Sequence, residues 1–68
     1  FKPDLRALAI SRIFDEALEA AGLEARVASV SEDRRRGLVA KIHPGAGPRD
    51  DAGINAVLGQ FTTPWVWA

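Results

Sequence analysis

The chain reads as a small single-domain α+β fold: a helix, a β-hairpin, a second helix and a C-terminal strand. Three observations predict it. Apolar residues recur at helical spacing through the first third and stop at Gly22. Two short runs with strand periodicity then flank a polar, Gly-terminated segment. Last, a Pro/Gly-rich joint precedes a short capped apolar run and an aromatic end.

The first helix is expected from about Asp4 to Ala21. Pro3 at its first turn gives up no needed N–H, and Asp4 sits at the positive end of the helix dipole. At about 100° per residue, Ala9, Ile10, Ile13, Phe14, Ala17, Leu18, Ala20 and Ala21 fall on one broad face. Asp4, Arg12, Asp15, Glu16 and Glu19 gather on the other, with Arg12 and Glu16 an i,i+4 pair. Gly22 is placed to take the left-handed residue that ends a helix, and Leu23 to supply the apolar contact that goes with it.

Residues 25–30 (Ala-Arg-Val-Ala-Ser-Val) read as a strand, residues 31–37 as a turn, and residues 38–43 (Leu-Val-Ala-Lys-Ile-His) as the returning strand. On the second strand, Leu38, Ala40 and Ile42 share one face and Val39, Lys41 and His43 the other. The 44–48 segment, Pro-Gly-Ala-Gly-Pro, breaks the pattern. Asp50 or Asp51 then caps a second helix through about Leu58, closed by Gly59. Phe61 to Trp67 is expected as a last strand, restricted by Pro64 to an edge or a bulge.

The resulting order, α-β-β-α-β, resembles the ferredoxin-like split β-α-β order lacking its first strand. Two strands cover a helix pair poorly. The missing partner is therefore expected from the C-terminal strand, from another chain or from residues before Phe1. The chain begins at Phe1 rather than Met, consistent with a processed product or a fragment of a longer chain.

Composition narrows the function classes. The chain has 68 residues, 47% of them hydrophobic and 26% charged. That fits one domain and is too apolar for intrinsic disorder. Nine Lys/Arg balance nine Asp/Glu, which argues against a wholly basic nucleic-acid-binding surface. Cysteine is absent, so no disulfide or thiolate metal site braces the fold. No apolar run approaches the roughly 18 residues of a membrane span. A cytoplasmic location is expected, and the Ala, Arg and Gly content suggests a GC-rich bacterial or phage source.

Catalysis finds little support. His43 is the single histidine, and only Asp50 and Asp51 lie near it as further metal ligands. Ser11, Ser29 and Ser31 sit in no nucleophile-elbow pattern. The carboxylates Asp15, Glu16 and Glu19 read as a solvated helix face, because catalytic acid–base pairs need an enclosed site. The glycines of residues 43–48 match neither phosphate-loop spacing. No catalytic residue, metal or cofactor is assigned, although a role as an enzyme's accessory subunit stays open.

Two candidate sites remain. The first is the aromatic end over residues 60–68, carrying Phe61, Pro64, Trp65 and Trp67. In a strand Trp65 and Trp67 point the same way and make one flat face. That face either closes the domain's own core or meets another chain, since Trp is enriched at interface hot spots. Membrane-surface anchoring is a third option, but it lacks the usual basic neighbours. The second candidate is Arg34-Arg35-Arg36 at the hairpin tip, helped by Lys41, which suits phosphate contact. Glu32 and Asp33 partly neutralise it, and no aromatic platform lies nearby in sequence. The leading expectation is therefore a non-catalytic protein-interaction module or assembly subunit, pairing with another chain or with itself through a sheet edge and the aromatic end. A nucleic-acid-binding module using the Arg loop is the alternative.

Overall fold

In a computed structural model of the chain, residues 5–68 are described, with only the backbone given for Leu5 and Ala7. The elements run α1 (Leu5–Ala20), β1 (Arg26–Asp33), β2 (Gly37–His43), α2 (Asp51–Gly59) and β3 (Trp65–Trp67). The α+β class and the expected element order hold. The helix start expected at Pro3 and Asp4 lies outside the described residues.

The first helix ends as its sequence dictates. Gly22 takes φ +76°, its N–H donates to the Glu19 carbonyl, and the Leu23 N–H donates to the Leu18 carbonyl at 3.0 Å. These are the two bonds of a Schellman ending. Leu23 accordingly packs on the core. The buried face of α1 is narrower than the periodicity suggests. Phe14 and Leu18 are buried and Ile10 and Ala17 partly so, whereas Ile13 is 50% exposed and Ala9, Ala20 and Ala21 are exposed. A helix lying on one sheet with one helical neighbour has no further surface to cover that flank. The Arg12–Glu16 pair forms at 3.4 Å on the exposed side, where such pairs contribute a few tenths of a kcal/mol at most.

The hairpin is longer and its turn tighter than expected. Its first strand starts at Arg26 and continues to Asp33, which pairs with Gly37, leaving Arg34, Arg35 and Arg36 as the whole tip. Polar Ser31 and Asp33 fit within a strand here because they lie on the uncovered face of the sheet, and Glu32, opposite Leu38 on the other face, is exposed near the strand's end. Gly37 at φ +76° is the left-handed residue that lets a three-residue loop rejoin the ladder.

The second helix is capped by Asp50, whose carboxylate accepts the Gly53 N–H at 2.8 Å. Gly59 is the last residue of the helix but not the left-handed residue that closes it. Thr62 supplies the left-handed residue instead, at φ 52°. Its N–H bonds Gly59 and the Thr63 N–H bonds Leu58, a second Schellman ending with a β-branched residue where glycine is usual. Phe61, Thr62 and Thr63 are consumed by this turn, so the last strand is confined to Trp65–Trp67 rather than starting at Phe61.

The sheet order is β1-β2-β3, with β1 antiparallel and β3 parallel to β2. In the ferredoxin-like order a further strand would lie between the last strand and the hairpin. Here the C-terminal strand takes that neighbouring place itself. Both helices pack on one face of the sheet, where Phe14, Leu18, Ala40, Ile42, Ile54, Val57 and Leu58 form the core. The other face is uncovered and carries the exposed Ser29, Ser31, Lys41, His43 and Val66. Val39 also belongs to that face by alternation, yet is only 5% exposed, as suits the central strand.

Candidate interface at the sheet edge

Among the described residues the last strand has one neighbour, β2, and its other edge is free. The Ala40 N–H bonds the Pro64 carbonyl at 3.0 Å, and the Ala68 N–H bonds the Ile42 carbonyl at 2.8 Å. With Ala40 opposite Trp65 and Ile42 opposite Trp67, parallel pairing turns the N–H and C=O of Val66 toward β2. The main-chain N–H and C=O of Trp65 and Trp67 therefore point away from the sheet. Pro64 precedes the strand and contributes its carbonyl to the inner ladder, at a strand start where proline is tolerated.

The side chains alternate the other way. Trp65 and Trp67 lie on the helix-covered face beside Ala40 and Ile42, and both pack partly buried against the core. Their rings meet edge to face, 4.9 Å apart at 85°, a favoured aromatic geometry. The Trp65 indole N–H donates to Asn55 at 2.7 Å and the Trp67 indole N–H to Asp51 at 3.0 Å. The Arg49 guanidinium sits 5.5 Å from the centre of the Trp67 ring, within cation–π range. One turn of α2 separates Asp51 from Asn55, matching the spacing of the two rings, so the indoles lie along that helix. Phe61 does not join them. It is 40% exposed and tilts against Phe14 of α1, with centroids 5.1 Å apart. The aromatic end thus divides, Phe61 serving the α1 side and the tryptophans the α2 side.

The Arg34–Arg36 tip is exposed and internally organised. Asp33 accepts the N–H groups of Arg35 at 2.8 Å and Arg36 at 3.1 Å, and Arg36 also pairs with its carboxylate at 3.5 Å. Those main-chain bonds, Arg35's first, hold the Asp33 carboxyl below its ordinary pKa. Lys41 is remote from the tip along the hairpin, on the uncovered face, opposite Ser29 on one side and Val66 on the other.

Sequence reasoning missed one polar cleft. Asp15, Glu19, Glu24, Arg26 and His43 line a depression between the end of α1 and the β2–α2 loop. Its groups are partly committed: Asp15 accepts the Val27 N–H at 2.6 Å, and the His43 Nδ1 accepts the Gly45 N–H at 3.0 Å. Among the described residues no set of three or more His, Cys, Asp or Glu side chains could hold a metal ion. Nor is any helix there long and apolar enough to cross a membrane. Compared with protein-family models, curated proteins and solved structures, the chain matches none of them.

Proposed function

We propose that this domain is a non-catalytic protein-interaction module that binds by adding a partner strand to the outer edge of β3. The observation that carries this reading is the outward direction of the Trp65 and Trp67 main-chain groups on a free edge. Strand addition draws affinity from such main-chain bonds and specificity from flanking side chains. Both indole N–H groups are already satisfied by α2, so the rings stiffen the edge while the backbone offers the contacts. The half-buried indole faces and the exposed Val66 flank the added strand on its two sides.

The test removes one outward donor without touching a side chain. A chain of this length can be assembled chemically with an N-methyl group on the Trp67 amide. Peptides selected from a random library on the unmodified protein should bind the N-methylated protein at least about tenfold more weakly, the loss of roughly one hydrogen bond plus a steric block. Peptides that bind both forms equally would place the site elsewhere.

A second reading, nucleic-acid binding, is favoured by charge placement. The segment 26–43 holds five of the nine basic residues (Arg26, Arg34, Arg35, Arg36 and Lys41) against Glu32 and Asp33 alone. Against it stand the Asp33 clamp on Arg36 and, among the described residues, the lack of any aromatic on the uncovered face for base stacking. Phosphate binding would weaken steeply with salt and vanish when the three tip arginines become alanine.

A further inference from the structure

We propose that the strand added to β3 is the β3 of a second copy, so that two domains join into one continuous six-stranded sheet about a two-fold axis through Val66. This rests on reading the β3 edge as the interaction surface and names its occupant. The register follows from the outward main-chain groups. An antiparallel partner exchanges N–H···O=C pairs at every second residue. Trp65 and Trp67 are two apart and both present N–H and C=O outward. A two-fold axis through Val66 sets Trp65 opposite the partner's Trp67 and Trp67 opposite the partner's Trp65, closing four main-chain bonds. A register slip of one residue, with the axis midway between two residues, would set an outward-facing residue against an inward-facing one and close none. An axis on Trp65 or Trp67 would set that residue against its own copy and close two bonds within β3 instead of four.

The segment is also chemically symmetric about that axis. Trp-Val-Trp reads the same in both directions, so each residue meets its own class on the other strand. Nothing in β3 is charged, and no like charges oppose one another across the axis. On the helix face the four indoles come side by side as cross-strand aromatic neighbours. On the uncovered face the two Val66 side chains, each 38% exposed in the single domain, meet at the closer, non-hydrogen-bonded kind of pair. Association stops at two copies because the opposite edge of the sheet is obstructed. At β1 the Val27 N–H is taken by Asp15, and the ladder is irregular between Val27 and Ser29. A self-complementary contact with one open edge closes as a dimer.

The experiment is sedimentation equilibrium on the full 68-residue chain, with Val66→Lys, Val66→Glu and their equimolar mixture, each first checked for an unchanged far-ultraviolet spectrum. The unmodified chain should reach twice its 7.3 kDa mass as concentration rises. In the dimer Val66→Glu sets two carboxylates against each other and Val66→Lys two ammonium groups, so each alone should self-associate at least about tenfold more weakly. Val66→Lys also meets Lys41 within its own domain, so Val66→Glu is the cleaner of the two. Their mixture should recover association as a mixed dimer. The N-methyl-Trp67 chain, with Val66 intact, should stay monomeric and covers the case in which a charged variant fails to fold. A chain that is monomeric at every concentration overturns self-pairing, as does a charged variant that dimerises as well as the unmodified chain. Self-pairing alone has failed if the chain is monomeric while library peptides still lose affinity on N-methylation. If those peptides bind both forms equally, the edge reading has failed with it.

Discussion

The two edges of the sheet are built to opposite specifications. The β1 edge is eight residues long, carries Arg26, Glu32 and Asp33, departs from regular pairing at Ala28 and has its Val27 N–H occupied by a carboxylate from α1. Length exposes more unpaired main chain, and these are the devices by which natural sheets block edge-to-edge association. The β3 edge is three residues long, uncharged and unobstructed. Brevity protects it from nonspecific pairing, and its aromatic residues give it rigidity. A domain that guards one edge and leaves the other open has a polarity, and that polarity is the physical basis of the proposed function.

The largest expected effect comes from removing what both edges share. Ile42 is fully buried and pairs with Val27 on one side and Trp67 on the other. Ile42→Ala should cost about 2–5 kcal/mol in denaturant unfolding, the usual range for emptying a core site, and both edges should loosen together. Amide hydrogen exchange would show this as lost protection in β1 and β3 alike; protection lost on one side only would mean the edges are independent.

A smaller and one-sided effect is expected at Asp15. Asp15→Ala leaves the Val27 N–H without its acceptor and should cost about 1–3 kcal/mol. It also removes the obstruction at β1, so the variant should form species larger than two copies at high concentration. Light scattering decides this, and a variant that remains no larger than the unmodified chain would show that the irregular pairing at Ala28 suffices.

Thr62→Gly should act in the other direction. A β-branched residue at φ 52° is strained, and glycine there should stabilise the domain by about 1 kcal/mol in thermal unfolding. The gain would sharpen the contrast, since this turn delivers the chain into β3 and does not touch β1. A loss of stability would mean that the Thr62 hydroxyl, bonded to the Phe61 carbonyl at 2.7 Å, outweighs the strain.

The smallest effect belongs to the hairpin tip. The Asp33 carboxyl has a lowered pKa in the folded state. Its contribution is therefore present above the ordinary aspartate value of about 4 and is lost as pH falls through the lower folded value. Asp33→Asn should flatten that part of the stability–pH curve and leave β3 unaffected. An unchanged acid limb would show that the turn is held by Gly37 alone.

Much of this architecture was legible in the residues. Gly22 and Leu23 announced the end of α1 because a Schellman turn makes demands at two adjacent positions, and both were met. The Asp50-Asp51 pair announced α2 for a similar local reason, and of the two Asp50 is the cap. Legibility failed where the answer depended on distant chain. Ser31 and Asp33 look like turn residues until an uncovered sheet face makes polar strand residues acceptable, and Glu32, on the other face, is exposed near the strand's end. Gly59 looked like a helix stop, yet Thr62 took the left-handed conformation, which removed Phe61 from the last strand. Periodicity alone over-counted the buried face of α1, since Ile13 has the right spacing but nothing to pack on. Of the readings of the tryptophans, packing on the domain's own core is the one the structure displays. Trp65 and Trp67 contribute to the domain's own core through their side chains, and the proposed contact uses their backbone, which composition does not reveal.

The edge-to-face pair formed by Trp65 and Trp67 also gives the edge its own optical label. Two indoles held 4.9 Å apart at a fixed angle share an electronic excitation. In a chiral frame, shared excitation splits the circular dichroism of the indole bands into a couplet. The signal depends on both rings keeping their places, and their nitrogens are tethered to two residues one turn apart on α2. Any event that shifts β3 against that helix rotates one transition dipole relative to the other and changes the couplet. The state of the open edge can thus be read by light absorbed within the protein itself, with no dye attached.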